Sequence, residues 1–284
     1  MQILLIFLGT LGGLYGILCW AIWQWQERLT FFPSRTIAHY PDEYGMAYEE
    51  VWLPIPHSKN NRLHGWWLPA ATDASTPVVL LLHGNGYNVG SNLAQAQVFH
   101  QLGYPVLMVD YRGYGRSEGP FASEAQVYED AQVAFDSLRY DRGLDPQKII
   151  VFGHSMGGAI AIELASRNPE IAAMIIQGSF TCLRDMIDYD RIYGWLPLKV
   201  IVRQYFDSIR KVPQLQMPLF FVHGDGDRRV PSWMSERLYA AATCAQKDLY
   251  ILAGADHIHV PEMGGEAYVE RVKVFLDQLA VQSV

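Results

Sequence analysis

The sequence predicts an α/β fold in which helices cover both faces of a mostly parallel eight-stranded sheet, preceded by a transmembrane helix. Short apolar runs alternate with amphipathic stretches along the chain, and a long uncharged run lies close to the N-terminus. A strand that is apolar along its whole length must bury both of its faces, which requires helices on each side of a parallel sheet. The pattern is therefore typical of a doubly wound α/β domain.

The first element is the uncharged run from Ile3 to Trp23. As a helix, at about 1.5 Å per residue, it spans roughly 30 Å, which is the thickness of the hydrocarbon core of a bilayer. A cleaved signal peptide fits less well, because no positive segment precedes the run and no A-x-A-like cleavage site lies before the polar stretch. A buried helix would show an amphipathic face. We therefore expect residues 1–25 to form a transmembrane anchor.

The end of the anchor carries tryptophans at positions 20, 23 and 25, a residue type that favours the membrane–water boundary. Arg28 and Arg35 follow the span, and the positive-inside tendency then favours a single-pass protein with its main domain in the cytoplasm. Two overlapping GxxxG pairs start at Gly9 and Gly12 and would let two anchors approach closely in a homodimer. Glycines are, however, common in membrane helices for other reasons.

The composition excludes several classes of protein. Half of the 284 residues are hydrophobic, which excludes an intrinsically disordered chain. The 22 Lys and Arg face 29 Asp and Glu, so no basic surface is available to neutralise many phosphates, and we expect no nucleic-acid partner. Cys19, Cys182 and Cys244 have the spacing neither of a disulfide framework nor of a zinc site.

Eight apolar runs after the anchor predict the strands, the first two as an antiparallel pair. The runs are Val51–Leu53, Leu63–Leu68, Val78–Leu82, Val106–Val109, Ile149–Phe152, Met174–Ile176, Leu219–Val222 and Leu249–Leu252. Helical patterns lie between them, such as the stretch from Ser123 to Tyr140, which Ser123 can cap. No internal repeat or low-complexity tract interrupts the chain, so residues 26–284 are expected to form one domain.

One segment between two predicted strands, residues 181–217, is rich in aromatic residues. These are Tyr189, Tyr193, Trp195, Tyr205 and Phe206. We expect the segment to form a short cap over a substrate pocket. Helices packed on the edge of the sheet would show the same pattern, because aromatic residues at helical spacing usually belong to a core.

The motif GxSxG occurs twice, at Gly115–Gly119 and at Gly153–Gly157. In a nucleophile elbow a strand runs directly into the motif and a helix leaves it, with small residues beside the serine because the strained turn brings backbone segments close together. The second match has this context, whereas Gly119-Pro120 after the first match starts no helix. We therefore predict that Ser155 is a nucleophile and that Ser117 is a loop residue.

A serine hydroxyl needs a base that removes its proton, and in this arrangement the acid and the base follow in the order Ser, Asp or Glu, His. Asp225 and Asp227 follow the seventh apolar run, and His257 follows the eighth. Spacing alone leaves both aspartates open. His259 is the rival base, and with His257 it could also form a metal pair, although no third ligand cluster accompanies them. His154 precedes the serine and is expected to point away from it.

Acyl transfer through a serine also requires two backbone N–H groups for the developing oxyanion, and losing one costs roughly 2.7–4 kcal/mol of barrier lowering. Met156 lies at the start of the elbow helix, where the helix dipole favours negative charge. The turn His83–Gly86 directly follows a strand and predicts the second donor at Asn85. A hairpin at Asn85-Gly86 is the alternative, but residues 91–99 after it have a helical pattern.

Further motifs accompany these residues along nearly the whole soluble part. The set comprises Leu29–Pro33, Tyr48–Val51, Gly65–Pro69, His83–Gly86, Asp110–Gly119, Gly153–Gly158, Pro218–Pro231 and Asp256-His257. Together they resemble the membrane-anchored branch of the α/β-hydrolase serine hydrolases, the serine-aminopeptidase-like or bud-emergence-like proteins, which are related to depalmitoylating hydrolases. The resemblance implies an α/β-hydrolase fold, and the family pattern HGxxDxxVP implies that Asp227 is the acid.

We therefore expect a membrane-anchored serine hydrolase that cleaves carboxylic esters or thioesters through an acyl-enzyme, with no metal or organic cofactor. Ser155 would attack, His257 would move the proton, Asp227 would orient the imidazole, and Asn85 with Met156 would bind the oxyanion. The substrate would be a small-molecule or lipid-like acyl ester. A peptidase that cleaves amides and a non-catalytic membrane scaffold with a hydrolase fold are the alternatives.

Overall fold

The computed structural model of the protein describes residues 1–58, 60–71, 76–190 and 194–282. Its strands are β1 (Phe32–Pro33), β2 (Glu49–Pro54), β3 (Arg62–Leu68), β4 (Val78–Leu82), β5 (Gly86–Tyr87), β6 (Val106–Val109), β7 (Ile149–His154), β8 (Ala173–Gln177), β9 (Leu219–Gly224) and β10 (Lys247–Leu252). Its helices are α1 (Gln2–Thr30), α2 (Leu93–Gln101), α3 (Glu124–Asp136), α4 (Met156–Arg167), α5 (Leu183–Tyr189), α6 (Leu198–Ile201), α7 (Ser208–Lys211), α8 (Trp233–Ala241) and α9 (Val260–Gln282).

Within these residues, eight strands form one sheet in the order β2-β3-β6-β4-β7-β8-β9-β10. β3 pairs antiparallel with β2 and with β6, and the other neighbours are parallel. Strands β4, β6, β7, β8 and β9 are buried along their whole length, as their apolar sequences indicate. The predicted eight-stranded, mostly parallel sheet with its opening antiparallel pair is confirmed.

Helices cover both faces of the sheet and enclose two apolar cores. One core contains residues of α3, α4 and α8, such as Ile160, and the other contains residues of α2 and α9, such as Phe99. The stretch from Ser123 to Tyr140 is helical as predicted: Ser123 takes the N-cap position of α3, and a π-helical turn at Ser137–Asp141 follows the helix. The layers are those of a doubly wound fold.

The N-terminal helix α1 lies outside both cores. It is long and apolar enough to cross a membrane, and its apolar stretch is exposed. The backbone leaves helical geometry at Trp25 (φ −114°, ψ 20°), at the predicted end of the anchor. Beyond this kink Gln26 is buried, and its Oε1 accepts a hydrogen bond from the backbone N–H of Arg203. A side chain added at Gly9 or Gly12 would meet nothing within 4 Å, so no contact within the chain explains these glycines. The homodimer through them stays a prediction.

The chain that leaves α1 is fixed to the loop after β4. β1 pairs in parallel with β5, so that Phe32 lies opposite Gly86, and the N–H of Phe32 donates to the carbonyl of Asn85 at 3.0 Å. The Asn85 side-chain amide donates to the Thr30 carbonyl at 2.9 Å. Asn85-Gly86 therefore belongs to this junction and not to a hairpin.

Three short helices, α5, α6 and α7, occupy residues 181–217 between β8 and β9. Of the aromatic residues predicted to cover a pocket, Phe206 is buried, while Tyr189, Trp195 and Tyr205 are exposed. Tyr193 lies outside the described residues. Trp195 does not line the cavity, because this part of the segment lies beside α1, where the Tyr15 hydroxyl donates to the Trp195 carbonyl at 3.0 Å.

Candidate active site

Ser155 occupies a sharp turn between β7 and α4. Its φ of 56° lies in the left-handed region, which is strained for a residue with a side chain, and its N–H donates to the Gln177 carbonyl at 2.9 Å. A side chain at Gly157 would come within 2.0 Å of the Leu82 carbonyl oxygen, and one at Gly153 would come within 2.4 Å of the Gly157 carbonyl oxygen. The glycines of the motif are thus required by the close approach of backbone at this turn.

Three side chains that are distant in sequence are joined by hydrogen bonds at the carboxyl edge of the sheet. The Nε2 atom of His257 lies 2.9 Å from Ser155 Oγ, and its Nδ1 atom lies 2.6 Å from Asp227 Oδ2. A carboxylate oxygen only accepts, so Nδ1 carries the proton and Nε2 is free to accept the proton of the Ser155 hydroxyl. This arrangement has the geometry by which a serine, an imidazole and a carboxylate can act as nucleophile, base and orienting group.

Asp227 is held by several donors besides His257. Its Oδ1 accepts hydrogen bonds from the N–H groups of Arg229 (2.8 Å) and Val230 (2.9 Å), and His223 Nε2 lies 3.2 Å from Oδ2. Burial alone would raise the pKa of the Asp227 carboxyl, but the hydrogen bonds from His223 and His257 hold this pKa well below its ordinary value. The carboxylate is therefore charged at neutral pH.

Asp225 and His259, the alternative acid and base from the sequence, take no part in these hydrogen bonds. Asp225 is exposed, and its carboxylate accepts a hydrogen bond from the N–H of Gly254. His259 is also exposed and pairs with Asp256 at 2.9 Å, which raises the pKa of the His259 imidazole. Within the described part of the chain, no group of three or more His, Cys, Asp or Glu residues could hold a metal ion. The structure thus joins Asp227, not Asp225, to the imidazole that faces the serine.

Asn85 and Met156 border the same cavity as Ser155, which has a volume of about 370 Å³. Asn85 follows β4 and Met156 opens α4, so the two residues flank the serine from neighbouring strands. The first N–H groups of a helix have no intrahelical acceptor, which leaves that of Met156 available to a ligand. The cavity is lined by Leu29, Thr30, Phe32, Asn85, Ser155, Met156, Phe180, Leu183, Met186, Phe206, Arg229, Val230 and His257.

A second polar network supports the loop that carries Asn85, and the sequence reasoning did not identify it. The Tyr114 hydroxyl donates to the Asn85 carbonyl at 2.9 Å, and the buried Asp110 carboxylate accepts from the Val89 N–H at 2.7 Å. Ser117, the serine of the first GxSxG match, is a buried loop residue as predicted, and its hydroxyl donates to the Asp110 carbonyl at 2.6 Å. The signal was present as a polar, glycine-rich run directly after β6.

His154 also has a role that the sequence did not indicate. It points away from the serine, as predicted, but its Nε2 atom donates to the backbone carbonyl of His257 at 2.9 Å, and its Nδ1 atom accepts from the Asn92 side-chain amide at 3.0 Å. Burial, together with the nearby His257, lowers the pKa of His154 to about 3. The ring is therefore neutral and links the elbow to the loop of His257.

Sequence relatives of this chain cover most of its length. An uncharacterized protein of Mycobacterium tuberculosis is 32% identical over 92% of this chain and 90% of its own length. The α/β hydrolase domain-containing protein WAV2 of Arabidopsis thaliana is 30% identical over 90% of this chain and 88% of its own length. The uncharacterized membrane protein YNL320W of Saccharomyces cerevisiae is 28% identical over 86% of this chain and 87% of its own length.

Solved structures share the fold at lower identity. The esterase Pf2001 of Pyrococcus furiosus superposes with a TM-score of 0.71 at 22% identity, over 88% of this chain and 98% of the esterase. An acylaminoacyl peptidase of Pyrococcus horikoshii gives a TM-score of 0.64 at 17% identity, over 82% of this chain and 41% of the peptidase.

The family model described as "Serine aminopeptidase, S33" matches residues 73–211, which include the elbow. The relatives extend this match to nearly the whole chain, and the solved structures share its fold. The predicted α/β-hydrolase fold and family resemblance are thereby confirmed, and this chain belongs to the α/β-hydrolase family, as does its relative WAV2.

Proposed function

We propose that this hydrolase cleaves carboxylic ester or thioester bonds through an acyl-enzyme on Ser155. The observation that carries the proposal is the hydrogen-bonded chain from Asp227 through His257 to Ser155, with the serine on a strained turn beside a cavity. A non-catalytic scaffold would have no use for a buried carboxylate that is kept charged behind an imidazole.

In the proposed mechanism the Ser155 oxygen attacks the acyl carbon while His257 Nε2 takes the hydroxyl proton. Asp227 stabilises the imidazolium that forms, and the N–H groups of Asn85 and Met156 bind the oxyanion. The imidazolium then gives its proton to the leaving oxygen or sulfur, and the acyl group stays on the serine. A water molecule, deprotonated by His257, releases the acid and restores the serine.

The cavity lining favours an ester over an amide with a free amino terminus. A subsite for an ammonium group requires a carboxylate, and the described residues that line the cavity include neither Asp nor Glu. Arg229 supplies the one permanent charge of that set, and most of the remaining side chains are apolar. Amide hydrolysis is the second candidate, because the family model is described as a serine aminopeptidase.

We also propose that α1 anchors the protein in a membrane by a single pass. The exposed apolar helix and the yeast relative, which is called a membrane protein, support this location. Arg28 and Arg35 beyond the kink favour a cytoplasmic hydrolase domain.

The experiment is labelling of the purified full chain with a fluorophosphonate probe. We expect mass spectrometry to find the probe on Ser155, and Ser155→Ala to abolish labelling. Ser166→Ala is the matched control, because Ser166 lies on the same helix and hydrogen-bonds only to the Glu163 carbonyl within the described structure. Labelling that persists in Ser155→Ala would refute the assignment of the nucleophile.

The bond specificity is tested by turnover of matched substrates. An acyl ester, the corresponding thioester and an aminoacyl amide are compared at equal concentrations with wild type and Ser155→Ala. We expect turnover of the ester and thioester to exceed that of the amide and to require Ser155. Preferential cleavage of the amide would replace the ester proposal by the second candidate.

A further inference from the structure

The mouth of the active-site cavity is built from the end of the anchor helix. Leu29, Thr30 and Phe32 line the cavity, and Leu29 and Phe32 are at the same time 59% and 56% exposed. A residue that both lines a cavity and faces outward lies at its opening. The opening is therefore next to the point where the chain leaves α1.

The distance from this opening to the apolar part of α1 is short. Leu29 lies four positions beyond the kink at Trp25, which corresponds to about 6 Å along a helix. The polar layer on each side of the hydrocarbon core of a bilayer is roughly 5–8 Å thick. With α1 in a membrane, the opening lies at the depth of the lipid headgroups and ester linkages.

The cap is attached to the same side of the anchor. The Tyr15 hydroxyl donates to the Trp195 carbonyl, the two rings lie 6.2 Å apart, and the Arg203 guanidinium stacks on the Trp23 ring at 4.4 Å. Tyr15 lies ten positions before the kink, which corresponds to about 15 Å of helix. This part of the cap therefore lies beside the membrane-spanning portion of α1.

The surface of the cap suits that position. Trp195 is 60% exposed and Val200 is 84% exposed, and both belong to the run Trp195–Val202, whose one charged residue, Lys199, pairs with Asp188. Exposed apolar side chains on a segment whose single charge is paired can enter the apolar part of a leaflet without leaving an unpaired charge there. Because this surface adjoins α1, the partner that covers it is the lipid leaflet through which α1 passes.

We propose that residues 194–202 of the cap dip into the leaflet beside α1, so that the cavity opens onto the bilayer and takes a long-chain acyl ester of a membrane lipid as its substrate. This inference rests on the proposed function. The acyl chain enters between the end of the anchor and the apolar side chains Phe180, Leu183, Met186 and Phe206 of the cavity wall. The carbonyl reaches Ser155 without the lipid leaving the membrane, and the released acid and lyso-lipid return to the leaflet.

The test uses the full chain reconstituted in phosphatidylcholine vesicles, with Val200→Glu as the variant. A charge at a position inside the leaflet is strongly disfavoured, whereas a charge on a surface in water costs little. We expect Val200→Glu to lower hydrolysis of a fluorogenic long-chain phospholipid in the vesicles by roughly tenfold or more. Turnover of a water-soluble butyryl ester should stay within about twofold of wild type.

The matched control is Val274→Glu, the same change at an exposed position of α9, fourteen residues beyond its start. We expect it to alter neither rate. Fluorophosphonate labelling of Ser155 in each variant reports whether the site is folded, and Val200→Ser serves as the milder variant, with a smaller loss on vesicles.

The outcomes separate this inference from the proposed function. If wild type cleaves the butyryl ester but not the vesicle phospholipid, or if Val200→Glu lowers both rates in parallel, the inference is overturned while the hydrolase assignment stands. A preference for an S-acylated peptide anchored in the same vesicles would replace the lipid by an acylated protein. Absence of labelling and of turnover on every substrate would instead refute the proposed function.

Discussion

The imidazole of His154 donates a hydrogen bond to the backbone carbonyl of His257, the residue whose own imidazole faces Ser155. His154 is the last residue of β7 and the immediate neighbour of the proposed nucleophile, so a single ring connects the elbow with the loop of the proposed base. The amide of Asn92 fixes the tautomer from the other side. We infer that His154 acts as a positioning residue, since its imidazole hydrogen-bonds to the backbone of His257 and not to Ser155.

We expect His154→Leu to lower kcat for a soluble ester by roughly tenfold to a hundredfold with little change in KM, because a lost buried hydrogen bond costs about 1–3 kcal/mol. His154→Gln retains a donor that reaches the same carbonyl and should recover much of kcat. Steady-state kinetics of both variants check this. Equal activity of the Leu variant and wild type would show that the contact does not position His257.

The stability of the fold should depend on pH through the same residue. The folded pKa of His154 is lowered to about 3, whereas an unfolded histidine titrates near 6.5. Between these pH values the unfolded chain binds one more proton at this histidine than the folded chain does. The contribution of His154 to the free energy of unfolding is therefore complete above about pH 6.5, and it declines as the pH falls below that value, by up to about 1.4 kcal/mol per pH unit. Between pH 6.5 and 5, thermal unfolding midpoints of wild type should therefore fall more steeply than those of His154→Gln. Parallel curves would contradict the assigned neutral state.

The two aspartates after β9 should differ sharply in their effect on catalysis. In the proposed mechanism Asp227→Asn loses the carboxylate that holds the His257 tautomer, and we expect kcat to fall by roughly 10³- to 10⁴-fold. Asp225→Asn is the matched control and should stay within about tenfold of wild type, since the Asp225 carboxylate accepts a hydrogen bond only from the Gly254 N–H within the described structure. Kinetics with a soluble ester distinguish the two, and a comparable loss in both variants would exclude Asp227 as the specific partner of His257.

The elbow should not tolerate a methyl group at Gly157. A Cβ there would come within 2.0 Å of the Leu82 carbonyl oxygen and 2.6 Å of the His83 carbonyl oxygen, so the backbone of the elbow or of β4 must move. We expect Gly157→Ala to destabilise the fold by about 1–3 kcal/mol and to abolish fluorophosphonate labelling. Gly86→Ala is the control, because a Cβ at Gly86 meets nothing within 4 Å. Thermal unfolding and labelling rates measure both effects.

The elements that could be predicted from the sequence are those with local signals. Continuous apolar runs identified the strands, since burial of both faces leaves no polar position, and the strand–motif–helix context distinguished Ser155 from Ser117. The proposed acid and base were located as residues that follow strands, but the sequence pattern does not distinguish Asp227 from Asp225. Their separation depends on which carboxylate the β9 loop turns toward His257, and this is a matter of tertiary structure.

The contacts that the sequence did not indicate are all between distant segments. The pairing of Phe32 with Gly86, the contact of Tyr15 with Trp195 and the bond from His154 to His257 join positions far apart in the chain. Each involves a residue whose type also has a local explanation: Tyr15 lies in an apolar helix, Trp195 in an aromatic-rich segment and His154 at the end of a buried strand. No periodicity or spacing rule relates such pairs.

The junction between β1 and β5 limits how the N-terminal apolar helix α1 can be exchanged. Phe32 and Thr30 hold the backbone and side chain of Asn85, so the last turns after the kink are a structural part of the hydrolase domain. A graft that brings in a foreign transmembrane helix, or a soluble version designed for crystallisation, should therefore be spliced upstream of Gln26. A splice at Ser34 would remove Thr30 and Phe32, and with them one wall of the cavity and the hydrogen bonds that hold Asn85.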